Sequence, residues 1–199
     1  MSNDLNELLG EYLSNLNIAY IDKFRDLVSK SIEDEFEHIN SNYEAHKQIH
    51  HENLESEYMN VSSIQDDAVF MNDVSHLADE LSIVALYKLF EQKHKSLIAF
   101  HRKENDKSKH YSRWENVEEA LPEEAKNLPT FKSVDELRLV NNAIKHEGVV
   151  SKELSKKFPA YGEAGNEFSE LDKTFMRLKP CAISYIRELH LIYKSKANS

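Results

Sequence analysis

The sequence predicts an all-α protein, a helical bundle of long antiparallel helices with shorter helices between them, and three observations carry that expectation. Only four glycines and four prolines occur in 199 residues, too few to bound a set of strands with tight turns. Leu, Glu, Lys, Ala and Asn fill the long stretches between them. Apolar residues recur at spacings of three and four over most of the chain, the period of a helix with one buried face. At this length one core suffices, so the expectation is a single helical domain over 1–199, with a projecting helical segment around 44–65 and an exposed loop around 101–115.

The opening helix is marked by Leu5, Leu8, Leu9, Tyr12, Leu13 and Leu16, which fall at i, i+3, i+4, i+7, i+8 and i+11 and share one face. A longer helix follows, carrying Ile21, Phe24, Val28, Ile32, Phe36, Ile39 and Tyr43 before it thins into the polar run Glu44 to Glu57. Val61 to Gln65 breaks the pattern. From about Asp66 a third helix carries Phe70, Val74, Leu77, Leu81, Val84 and Leu89 up to Phe100, and it is expected to be the most buried. His101 to His110 has no periodicity and reads as an exposed, basic loop holding Arg102, Lys103, Lys107 and Lys109.

A short helical piece around Val117 to Lys126 is interrupted at Pro129, and Ser133 with Glu136 forms a capping-box signature for a new helix. Gly148 closes that helix, because glycine adopts the left-handed conformation of a C-terminal cap without strain. Ser151 caps a short helix through Phe158, and the loop Ala160 to Gly165 follows Pro159. In the last helix Phe168, Phe175, Ala182 and Leu189 repeat every seven residues, interleaved with Leu171, Leu178, Tyr185 and Ile192. That heptad seam suits antiparallel packing, with a kink expected near Met176 where Pro180 pushes on the carbonyl four residues back.

Composition narrows the function classes. The formal net charge is -10, which disfavours wrapping duplex nucleic acid by whole-surface attraction but leaves room for a local basic site. The single Cys181 has no intramolecular partner and sits among apolar neighbours, as an inert thiol of a reducing compartment would. Met1 to Asp4 lacks a basic region ahead of an apolar run, and no stretch approaches the roughly 20 apolar residues of a membrane span, so the expected location is cytoplasmic with no membrane partner. Phosphate-cradling Gly loops, Cys-x-x-Cys pairs and Gly-x-Ser-x-Gly elbows do not occur.

One stripe concentrates chemistry. On the helix closed by Gly148, Leu137, Val140 and Ile144 share one face and Leu139 and Ala143 another, while Arg138, Asn142 and His146 line up between them at intervals of four, with Lys145 alongside. Polar groups held between two apolar faces must open onto a cleft, an interface or water. The bland account of His146 is a cation favoured by the helix dipole in the last turn.

Asn141-Asn142-Ala143-Ile144-Lys145-His146, followed by Glu147-Gly148 and preceded by Leu137-Arg138-Leu139, resembles the signature helix of HEPN domains (higher eukaryotes and prokaryotes nucleotide-binding). Those are all-α bundles, often dimeric, and many are metal-independent RNases of toxin, antiviral-defence or CRISPR-associated systems. The family motif is an Arg, commonly followed by Asn, Asp or His, with a catalytic His four to six residues after the Arg. Asn142 matches the polar position and His146 the histidine, whereas Asn141 stands where the family has its arginine. Cleavage through the 2'-hydroxyl needs proton transfer and a charge on the developing phosphate, which an Arg supplies and an Asn does not. The resemblance therefore implies an RNA-binding or RNA-cleaving homodimer, catalytically degenerate where that charge is missing, in a bacterial or phage defence or toxin-antitoxin setting with RNA or an antitoxin as partner. His146, Asn142 and Arg138 are the catalytic candidates, Arg138 as stand-in for the arginine; Lys145, Asn141, Arg102, Lys103, Lys107, Lys109 and Arg113 are the RNA-binding ones. No cofactor is implied.

Three rival features have weaker patterns. Glu35-x-x-His38 and Asp73-x-x-His76 approach the di-iron spacing without two true copies, and His46, His50 and His51 with Glu44 and Glu52 lack the remaining pieces of a zinc motif, so no metal is expected. Tyr111 and Trp114 beside the basic loop could stack on bases, or anchor the loop to the bundle. The alternative function is a noncatalytic dimerisation or partner-docking module built on the heptad seam and the stripe.

Overall fold

A computed structural model describes residues 2–48, 54–102, 111 and 113–197. The described residues form helices joined by short connections, without a strand: α1 (Ser2–Ser14), α2 (Ala19–Gln48), α3 (Leu54–His101), α4 (Trp114–Ala120), α5 (Glu123–Lys126), α6 (Pro129–His146), α7 (Lys152–Lys157), a 3-10 turn (Pro159–Tyr161) and α8 (Leu171–Ala197). No helix among them is long and apolar enough to cross a membrane. Where one domain with a projection around 44–65 was expected, the chain divides into two compact units, Ala19–Ser82 and the combination of Met1–Ile18 with Ile83–Ser199. α3 contributes its first part to one unit and its second part to the other.

The Ala19–Ser82 unit pairs α2 with the first part of α3. Arg25 Nη1 reaches Asp79 Oδ1 at 2.8 Å, tying the two helices. Ile21 and Ile39 are buried, while on the α3 stripe marked by periodicity Phe70, Leu77 and Leu81 are exposed and Val74, Val84 and Leu89 half-buried; the burial falls instead on Ile83, Leu86, Phe90, Leu97 and Ile98. α3 also begins earlier than periodicity suggests. No Gly or Pro lies between Leu54 and His101, and a polar run without a breaker continues a helix while showing no apolar stripe.

The larger unit is organised around α8, which packs on α6, α1 and α5. Phe175, Leu178, Ala182, Tyr185 and Leu189 of the seam are buried, each large side chain contributing about 1.5–3 kcal/mol by leaving water. α8 runs through Pro180 as one continuous helix. Phe168 is buried too but precedes the helix, because Glu170 has φ of 58° and cannot carry a right-handed helix back across it.

Local signals decide the other boundaries, not always those expected. Pro122 splits the piece around 117–126 into α4 and α5 by forcing Leu121 into an extended conformation (ψ 142°). Pro129 starts α6 at its first turn, where a missing amide costs nothing, so the helix begins ahead of Ser133. Glu136 does not close a capping box; its carboxylate accepts from Tyr161 Oη at 2.8 Å and from Arg177 Nη2 at 2.6 Å. At the far end Gly148 adopts φ of 67° and donates its amide to the Ala143 carbonyl at 3.0 Å. Ser151 Oγ accepts from the Leu154 amide at 3.2 Å and caps α7.

α1 departs most from expectation. Leu5, Leu8 and Tyr12 are 68%, 63% and 67% exposed, so its apolar stripe faces outward. The helix instead turns Gly10 inward, where an added Cβ would lie 2.7 Å from His190 Cε1 and 3.4 Å from the Phe100 ring. Glycine permits a backbone approach that any side chain would block.

Candidate functional site

α6 sets the geometry. Leu137, Leu139, Val140 and Ala143 are buried, which pins the helix on both apolar sides and presents the stripe between them. The stripe is not uniform. Arg138 is largely covered and Asn142 half-buried, whereas Lys145 and His146 are exposed. Asn141 is buried and donates from Nδ2 to Asn142 Oδ1 at 3.1 Å.

Arg138 is held by its own helix. Its Nε and Nη2 donate to Asp135 Oδ1 at 3.0 and 2.8 Å, Glu153 lies at 3.5 Å, and the guanidinium sits 5.1 Å from the Trp114 ring. Asp135 is buried and is also paired with Lys157. A guanidinium neutralised this way is a structural partner rather than a spare charge, so within one chain Arg138 is not free for the stand-in role expected of it.

A cavity of about 540 Å³ opens beside the stripe. Its walls come from α3 (Tyr87, Phe90, Glu91, His94, Lys95), from the approach and start of α4 (Tyr111, Arg113, Trp114, Glu115, Val117), and from α6 (Arg138, Asn141, Asn142, Lys145). Glu91 is paired with Lys95 at 2.7 Å. Arg113 and Lys145 form no ion pair among the described residues and are exposed, so they are the available cations of this wall.

His94 is the residue that sequence reasoning missed. It is 2% exposed, and its Nε2 has no hydrogen-bond partner among the described residues. Burial and the nearby Lys95 charge push its pKa down to about 3, so the ring is neutral near pH 7. Phe90, Tyr185 and Trp114 surround it with centroids at 5.1, 5.4 and 6.2 Å. One signal existed: His94 follows Tyr87 by seven and Phe90 by four and precedes Leu97 by three, a histidine on an apolar stripe.

His146 does not line that cavity. It borders a second groove with Leu139, Asn142, Ala143, Glu147, Ser151, Lys152 and Glu153, and Asn142 is common to both. Tyr111 is buried, and Trp114 is half-buried and stacked on Phe131 at 6.1 Å, so neither ring stands free in solvent. Arg102 donates from Nη1 to the Ala120 carbonyl at 3.5 Å. Lys103, Lys107 and Lys109 lie outside the described residues, as do His50, His51 and Glu52. No group of three or more His, Cys, Asp or Glu among the described residues is placed to hold a metal ion.

No family model, curated protein or solved structure matches the chain.

Proposed function

We propose that this chain is an HEPN-like helical protein that binds single-stranded RNA along α6 and dimerises, in a bacterial or phage defence or toxin-antitoxin setting, and that it binds RNA without cutting it efficiently. The observation that carries the reading is the position of Asn142, which borders both the basic, aromatic-walled cavity and the groove holding the exposed His146. Phosphates meet Lys145 and Arg113, and base edges meet the carboxamides of Asn141 and Asn142. Efficient cleavage is disfavoured because Asn141 carries no charge and Asp135 already neutralises Arg138.

Fluorescence anisotropy with a labelled single-stranded RNA in EDTA tests this. Lys145→Ala weakens binding and lowers the salt slope of log K by about 0.7, the share of one phosphate contact on a single strand. Binding indifferent to both Lys145→Ala and Arg113→Ala rejects the interface. Rapid cleavage in EDTA that disappears in His146→Ala would show an active nuclease instead of a binder.

The exposed stripe of α1 favours a second reading, a noncatalytic docking module. Leu5, Leu8, Leu9 and Tyr12 form an outward apolar face of the kind that partners cover.

A further inference from the structure

We propose that the outward apolar face of the Ala19–Ser82 unit is closed by the same face of a second copy, so that two α2/α3 hairpins form a four-helix bundle. The inference takes up the dimer of the reading above and gives it an interface, on a surface separate from α6. Burial shows which sides of the two helices meet: Ile21, Val28, Ile32 and Ile39 on α2, and Ala68, Met71, Ser75 and Ala78 on α3, are buried or half-buried. Each helix carries a second apolar line, Tyr20, Phe24 and Leu27 on α2 and Phe70, Leu77 and Leu81 on α3, and all six residues are exposed. At about 100° per residue, both lines are turned from the inward ones by about 110° in the same rotational sense, each followed along its own chain direction. In antiparallel helices that common sense carries both lines to one side of the pair. The Arg25–Asp79 ion pair sets the register and places Leu27 level with Leu77. Six large apolar side chains thus share one face of a unit made of two helices, and such a face needs another layer to cover it.

Charge selects a second copy and its orientation. A two-fold axis along the hairpin sets α2 over α3 of the second copy, antiparallel and at the same level, which is the up-down-up-down order of four-helix bundles. The apolar ends then meet each other. On the outer edge of α2, Lys23 and Lys30 are exposed; on the outer edge of α3, Asp73 is exposed and Glu80 half-buried. In this register Lys30 falls beside Asp73 of the second copy and Lys23 beside Glu80 of the second copy, and symmetry repeats both pairs. An axis across the hairpin instead brings the acidic edges of the two α3 helices together, at a cost. Toward the other end of the hairpin the line on α2 continues through Ser31, Asp34 and His38, all polar and exposed, so the contact is centred on Leu27 and Leu77.

Sedimentation velocity of the full chain over a concentration series reads the dimer constant. Leu77→Glu is expected to weaken the dimer about a hundredfold, because symmetry places two charges in the apolar contact, while helical content by circular dichroism stays unchanged at so exposed a position. Leu27→Glu gives the same loss from the other helix. Lys30→Glu weakens the dimer about fivefold, and combining it with Asp73→Lys restores it, a reversal that a loss of folding does not give. A dimer left intact by both Leu77→Glu and Leu27→Glu overturns the bundle and leaves dimerisation standing; if Leu8→Glu dissociates that dimer, the contact lies at α1 instead. Dissociation by Leu77→Glu without restoration by the charge exchange overturns the two-fold along the hairpin. A chain that stays monomeric throughout overturns the bundle and removes the dimer from the proposed function as well.

Discussion

Asp135 carries Arg138 and Lys157 on one buried carboxylate, and removing it strands a covered guanidinium beside Trp114. Asp135→Ala is expected to destabilise the fold by about 3 kcal/mol, measured by urea or thermal unfolding, the usual result of breaking a buried pair from one side. The same ion pair makes Arg138→Ala a poor probe of catalysis. Histidines set the acid response. His94 and His101 have folded pKa values pushed down to about 3 and about 4 from 6.5, in each case chiefly by burial, and His190 is lowered as well. A histidine depressed in the folded state binds its proton more readily when unfolded. Its contribution is complete above pH 6.5 and is lost as pH falls toward the folded value. Melting temperature should therefore fall between pH 6.5 and 4.5, and His94→Phe should flatten that slope. A melting temperature constant over this window contradicts the assignment.

α1 shows how an element is placed by its smallest residue. Its backbone approaches α8 through Gly10, with His190 hydrogen-bonded to His101 at 3.2 Å directly beneath. Gly10→Ala puts a methyl where only 2.7 Å is available, so His190 must move or α1 must lift. The expected cost is about 1–3 kcal/mol, with faster proteolysis within α1 than elsewhere. Helix propensity alone points the other way, since alanine is the better helix former. A stabilised Gly10→Ala protein would mean that α1 does not dock through this residue.

For the chain as a whole, charge and apolar surface make separate demands. A net charge of -10 repels RNA from most of the surface, so RNA binding of the proposed kind is expected only at the Arg113–Lys145 rim and should weaken with salt. The exposed apolar face of α1 is a surface that a dimer of the proposed kind would cover. Light scattering should show a dimer that Leu8→Glu converts to monomer without unfolding; an unchanged mass would exclude α1 from the interface. The all-α class, the closure at Gly148, the cap at Ser151 and the α8 seam were all readable from the chain. Each is decided within about one or two helical turns by hydrogen-bond geometry and apolar spacing. Burial and pairing are not local. Nothing in the spacing of Leu5, Leu8 and Tyr12 says that Gly10 faces inward, and Glu136 finds Arg177 across forty-one residues instead of capping its own helix. Periodicity thus determined the helices and the position of the stripe, while only packing decided that Arg138 is neutralised, that His146 and Arg138 border different hollows, and that His94 lies unpartnered in a cavity wall.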